Sequence, residues 1–176
     1  MITFTKTSNT SELEQILALQ QRNLPKQLNE EEKKTQGFVT VEHDLEILTK
    51  MHDLHPHIIA KDNDSLVAYA LSMSTSFKNE IPVLIPMFNE IDKLDIHQNF
   101  IVMGQICVDK AYRGKGIFRG LYDTMAATFS GEFTSIITEI DANNTRSLKA
   151  HETIGFSDLC TYEAGQQLWK VVIMNI

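Results

Sequence analysis

The chain has 176 residues, which suits one domain with a core of useful size. Apolar residues make up 43% and charged residues 22%, which excludes the disordered and fibrous classes. A formal net charge of −7 argues against a nucleic-acid partner, because phosphate contacts need Lys and Arg. It does not exclude an anionic ligand, which responds to the local field, and it mildly favours a cationic acceptor.

Residues 2–6 alternate and predict a short strand. Thr10 or Ser11 is expected to cap a helix running through ELEQILALQQRN, with Leu13, Ile16, Leu17 and Gln20 at helical spacing and Pro25 as the interruption. The charged stretch NEEEKKTQG, ending at Gly37, reads as a solvated helix or loop. GFVTV at 37–41 precedes a second helical pattern, HDLEILTKMHDL, whose apolar side is Leu45, Leu48 and Met51. Residues 57–62 and 66–76 read as two strands joined by the turn Asn63-Asp64-Ser65. A short helix is expected after Pro86.

The stretch NFIVMGQICVD, from residue 99, is apolar on both faces, as a central buried strand must be. Arg113–Phe129 predicts an amphipathic helix with Ile117, Leu121, Met125 and Phe129 on one side. SIITEI at 135–140 is a further strand. Asn143 or Asn144 should cap a helix to about Thr153, which Gly155 ends, and two strands near 157–163 and 167–174 complete the chain. This order predicts an α/β or α+β fold, one domain over 1–176 with a central mixed sheet. Cys107 and Cys160 lie far apart in apolar segments and read as buried free thiols. His52, His55 and His57 diverge between a helix and a strand, so no metal site is expected. No apolar run reaches the ~18 residues of a membrane span, and the N-terminus lacks a secretory pattern; a cytoplasmic protein without a membrane partner is expected.

The sharpest feature is Val108-Asp109-Lys110-Ala111-Tyr112-Arg113-Gly114-Lys115-Gly116-Ile117. A buried strand ends, a turn follows, and a helix opens on alternating glycines. Glycine lets the backbone turn tightly and approach a ligand closely. N–H groups at a helix start sit beside a partial positive charge, which suits phosphate, and Arg113 and Lys115 add full charge. A plain strand–helix turn carrying a solvated basic pair is the competing explanation. Neither G-x-x-x-x-G-K-[ST] nor G-x-G-x-x-G occurs, which argues against a P-loop and a dinucleotide fold.

Here the chain resembles the GNAT superfamily of N-acetyltransferases. Its signature [QR]-x-x-G-x-[GA] here reads Arg113, Gly116 and Phe118. The second signature, an Asn-led helix containing Tyr and ending in Gly-Phe, is matched by Asn144-Thr-Arg-Ser-Leu-Lys-Ala-His151-Glu-Thr-Ile-Gly155-Phe156. The resemblance implies a mixed, mostly antiparallel sheet of about seven strands flanked by about four helices, and acetyl-CoA as co-substrate. It places the CoA pyrophosphate on Arg113, Gly114, Lys115, Gly116, Ile117 and Phe118, and the pantetheine arm along Ile106, Cys107 and Val108. A bulge at Gly104-Gln105 would fit a nearby ligand; tight packing explains Gly104 equally well. Asn144, Ser147 and His151 share one helix face, which in the family points at the pantetheine and sulfur.

Acetyl transfer needs a donor for the oxyanion, expected at the backbone N–H of Ile106 or Cys107, a base for the amine and an acid for the thiolate. The chain departs from the family in three places. His151 stands at the usual Tyr acid, with Asn144 or water as substitutes. The early half of strand 99–108 has no Glu base, which leaves His97, Glu139 and Asp141 as alternatives. Phe118 replaces a small residue. The expected activity is an acetyl-CoA-dependent N-acetyltransferase acting on an unidentified primary amine. A GNAT-like domain that senses CoA without turnover, and a non-enzymatic anion-binding domain, are the alternatives. The late strands leave a homodimer open.

Overall fold

The computed structural model describes residues 1–27, 39–94, 96 and 99–176. Seven strands form one mixed sheet in the order β1-β2-β3-β4-β5-β7-β6, as expected. They are β1 (Ile2–Lys6), β2 (Ile58–Asp62), β3 (Ser65–Met73), β4 (Phe100–Val108), β5 (Ser135–Asp141), β6 (Ser157–Ala164) and β7 (Gln167–Asn175). Five α-helices are present among the described residues: α1 (Thr10–Arg22), α2 (Leu45–Leu54), α3 (Ile85–Lys93), α4 (Ile117–Phe129) and α5 (Thr145–Thr153). The chain divides into two compact units, Met1–Met73 with Met103–Thr128, and Ser74–Val102 with Phe129–Ile176. The charged stretch ending at Gly37, Phe38 and His97 lie outside the described residues.

In the first unit, β1 pairs antiparallel with β2, and β2 with β3. β3 is buried along nearly its whole length, whereas β1 is largely exposed, as an edge strand should be. Leu13, Ile16 and Leu19 of α1 and Leu48 and Met51 of α2 are fully buried core residues. The cap of α1 is Asn9, one residue before the expected Thr10 or Ser11. Asn9 Oδ1 accepts from Glu12 N at 3.1 Å, and Glu12 Oε2 accepts from Ser8 N at 2.6 Å. Glu12 thus both donates to the cap side chain and accepts from the residue before it, which holds the chain at Asn9. The turn at Asn63 adopts φ +54, a region that Asn tolerates.

In the second unit, β4 pairs parallel with β5 from Phe100↔Ser135 to Val102↔Ile137. β5 and β6 each pair antiparallel with β7. Pro86 sits in the first turn of α3, where its missing N–H costs nothing. Gly155, at φ +111, ends α5 as expected. Cys107 is buried, but Cys160, on edge strand β6, is only half-buried; the strand has a neighbour on one side alone.

Two histidines are built into the first unit in their neutral form. His57 is fully buried: Nδ1 accepts from Ser72 N at 3.1 Å, which leaves Nε2 to donate to Leu48 O at 3.2 Å. His43 Nδ1 meets Gln20 Oε1 at 2.8 Å. Burial lowers their pKa values to about 3 and about 4. Both lie below the unfolded value of 6.5, so the unfolded chain binds more protons below that pH and stability falls with acid. Urea unfolding between pH 6.5 and 5 should show this loss. A His57→Gln variant, less stable at neutral pH, should show a pH slope shallower by up to about 1.4 kcal/mol per pH unit, the value of one proton.

Candidate functional site

The phosphate-like turn lies wholly in the first unit. β4 ends at Val108, Asp109 N donates to Val67 O at 2.9 Å, and Asp109 Oδ1 caps the short 3-10 turn Lys110–Tyr112 through Ala111 N at 3.0 Å. Arg113 is extended at φ −67 and ψ 151; Gly114 and Gly116 then take φ +75 and +78. Only glycine enters that region without cost, so the helix expected from Arg113 begins at Ile117 instead. The first intrahelical bond of α4 runs from Gly120 N to Gly116 O at 3.0 Å. A helix start is where backbone N–H groups and the partial positive charge of the dipole favour an anion. Among the described residues, a Cβ built on Gly114 or Gly116 meets nothing within 4 Å, so open space adjoins the backbone here. The residues present therefore fit a pyrophosphate.

Around the turn, the side chains are held. Lys115 Nζ lies 5.0 Å from the centre of the Tyr112 ring, and Tyr112 donates to Asp62 Oδ2 at 3.1 Å. Phe118, the unexpected last residue of the first signature, packs edge-on against Tyr122 at 5.2 Å. Ile106 and Val108 are half-buried on β4, alternating with the buried Gln105 and Cys107, and burial pushes the Cys107 thiol up to about 12. That thiol is therefore no nucleophile near neutral pH. A Cβ on Gly104 would meet Met73 at 3.9 Å, ordinary contact.

The second signature lies in the second unit. Asn144 caps α5, its Oδ1 accepting from Ser147 N at 3.0 Å. His151 is 2% exposed, donates from Nδ1 to Ser147 O at 2.8 Å, and stacks edge-on with Phe156 at 5.1 Å. Burial lowers its pKa to about 4. Neutral at pH 7, with its Nδ1 proton committed to a helix carbonyl, the ring is a poor proton donor and a good structural anchor. Asn144, Ser147 and His151 thus share one face as expected, but as links in one local hydrogen-bonded chain.

The same unit holds a buried carboxyl that spacing alone could not single out. Tyr162 of β6 donates to Glu139 Oε2 of β5 across the intervening β7. Burial raises the Glu139 carboxyl to about 7, with the Tyr162 hydrogen bond opposing it. Cys160 of β6 and Glu90 of α3 face Tyr162 closely enough to perturb it. Glu139 had been one of three alternatives; Tyr162 carried no sequence signal, because the pair depends on sheet order. Among the described residues no group of three His, Cys, Asp or Glu could hold a metal, and no helix is long and apolar enough to cross a membrane. At Gly116→Ala, the Cβ would meet open space but φ +78 would be strained. Urea denaturation should show a loss of about 1–2 kcal/mol.

Comparison with known proteins agrees with this geometry. The profile of the acetyltransferase (GNAT) family matches residues 13–156. No significant match occurs among curated proteins. Among solved structures, the ribosomal-protein-S18-alanine N-acetyltransferase of Escherichia coli is similar at TM-score 0.67 and 14% identity, covering 100% of this chain and 94% of its own. The NatC complex bound to Gag peptide and CoA gives TM-score 0.70 at 15% identity, over 99% and 98%. Arabidopsis thaliana Naa50, in complex with the bisubstrate analogue CoA-Ac-MVNAL, gives 0.65 at 14%, over 99% of both chains. At these identities the structures speak for the fold, while the profile spans most of the sequence: the chain belongs to the acetyltransferase (GNAT) family, whose acetyl donor is acetyl-CoA.

Proposed function

We propose that the chain moves the acetyl group of acetyl-CoA to a primary amine of a small molecule or peptide. The left-handed pair Gly114 and Gly116, opening α4 beside empty space, carries this proposal. The pyrophosphate of CoA would sit on the N–H groups there, with Lys115 as a nearby charge, and the pantetheine arm along Ile106–Val108. In the reaction the amine nitrogen attacks the thioester carbonyl, the C–S bond breaks, and the thiolate leaves. Holding the two reactants in place supplies much of the acceleration. The attacking amine has a pKa of roughly 10 and must give up a proton. Glu139 of the second unit is the carboxyl whose acidity, raised to about 7, is matched to such a transfer at neutral pH. Asn144, Ser147 and His151 are assigned to shaping the head of α5, with His151 as a positioning residue.

A second proposal, a CoA-binding domain without turnover, is favoured by the buried neutral His151 at the family's proton-donor position. Calorimetric titration with acetyl-CoA, beside Gly116→Glu, tests what the two share: wild type should bind, and the folded variant, with a bulky anion in the cradle, should bind at least tenfold more weakly. The absence of heat with acetyl-CoA or longer acyl-CoAs at several temperatures would refute both. Thiol release with a panel of amines then separates them. Peptides with free N-termini belong in that panel, given the ligands of the similar complexes.

With an acceptor in hand, the rate of acetyl transfer should rise with pH through an inflection near 7, and that inflection should vanish in Glu139→Gln. Tyr162→Phe removes the hydrogen bond that holds the carboxyl down, so the inflection should move to higher pH. An unchanged profile in Glu139→Gln would place the base elsewhere.

A further inference from the structure

The C-terminal end of α1 meets the phosphate turn at two points. Arg22 Nη2 lies 3.5 Å from Asp109 Oδ2, an exposed pair worth little by itself. The second link is more deeply placed. Arg113 donates from Nε to Val108 O at 3.0 Å and from Nη2 to Asn23 Oδ1 at 3.0 Å. Asn23 is the C-cap of α1 and only 3% exposed. Its Nδ2 donates to Leu19 O at 2.9 Å, and its carbonyl accepts from Val39 N at 3.2 Å. One guanidinium therefore ties the last residue of β4 to the end of α1 and, through Asn23, to the backbone of Val39.

A second tie starts on the neighbouring strand. Tyr69 OH on β3 donates to Gln105 Oε1 on β4 at 2.6 Å, and Gln105 Nε2 donates to Val41 O at 2.8 Å. Gln105 and Tyr69 are both buried. Both ties end on the same three-residue stretch, Val39–Val41, which leads into α2.

We propose that Arg113 is a positioning residue. It sets the first peptide of the turn against α1, so that backbone N–H groups meet the phosphates, and it couples occupancy of the turn to the Val39 backbone. The proposal rests on the acetyl-CoA assignment above. Its chemistry depends on the planar fork of guanidinium, which reaches two acceptors at a fixed angle. A lysine ammonium keeps the charge but has no second donor in that geometry. A direct phosphate contact, by contrast, would depend mostly on the charge.

The full-length chain with Arg113→Lys, Arg113→Met, Asn23→Ala and the double variant Arg113→Met/Asn23→Ala separates these cases. Acetyl-CoA affinity should fall by a similar factor in the Lys and Met variants, roughly tenfold, the scale of one lost buried hydrogen-bond partner. Asn23→Ala should fall in the same direction, and the double variant should be no weaker than Arg113→Met, since the two residues act as one unit. The salt dependence of binding should stay parallel to wild type. Amide exchange at Val39 should slow when acetyl-CoA binds wild type and stay unchanged in Arg113→Met. The proposal is overturned if Arg113→Lys keeps wild-type affinity while Arg113→Met loses it with a shallower salt dependence. It is equally overturned if bound acetyl-CoA leaves Val39 exchange in wild type unaltered, a measurement that needs no variant to fold. Wild type that binds no acetyl-CoA at all would instead remove the functional assignment, and this proposal with it.

Discussion

Two left-handed glycines set where α4 begins, and with it the geometry of the candidate cofactor site. Gly114 and Gly116 hold φ near +75, a region that costs other residues about 1–2 kcal/mol. Because the chain spends these residues turning, α4 starts at Ile117 with its opening N–H groups beside open space. The residues that look like helix breakers are therefore what sets the start of α4, and a helix start is where a backbone favours an anion.

The surroundings of the turn are stiff for reasons that add up locally. β3 is buried along its length, Asp109 is tied to Val67, and Arg113 joins Val108 to the cap of α1. Each bond alone contributes about 1 kcal/mol, and less at the exposed Arg22–Asp109 pair. Their value lies in geometry: several short links fix one turn from different sides, which is what positioning a phosphate requires.

In the second unit, burial rather than residue type decides who carries protons. His151, nominally the group that titrates nearest neutrality, is held neutral by burial, which outweighs the opposing effect of its bond to Ser147 O. Glu139, nominally ionised, is pushed up to about 7 by the same desolvation. The two shifts have opposite consequences because desolvation always disfavours the charged form, which is the protonated histidine and the deprotonated carboxyl. A family position that favours a proton donor thus holds a structural ring here, and a strand residue outside both signatures has the more suitable acidity.

Much of this was legible in the residues. Alternation and helical spacing located the strands and helices, since those periods are properties of the local backbone. The Arg113–Gly116 pattern and the Asn144–Phe156 pattern announced the family. Small errors followed from local competition: Asn9 outdid Thr10 as a cap because Glu12 stands where it can answer, and Gly114 delayed α4 by its backbone conformation. What lay beyond the sequence were contacts between distant positions. Tyr162 reaches Glu139 only because β7 lies between β5 and β6, and Arg113 reaches Asn23 across 90 residues of chain. Burial is likewise a tertiary quantity, so the charge states of His151 and Glu139 were decided by packing. The sequence by itself determined the elements, the glycine turn and the family; the tertiary structure decided which side chains are buried, which hydrogen bonds they make and which way their acidities shift, because each of those depends on neighbours that only folding supplies.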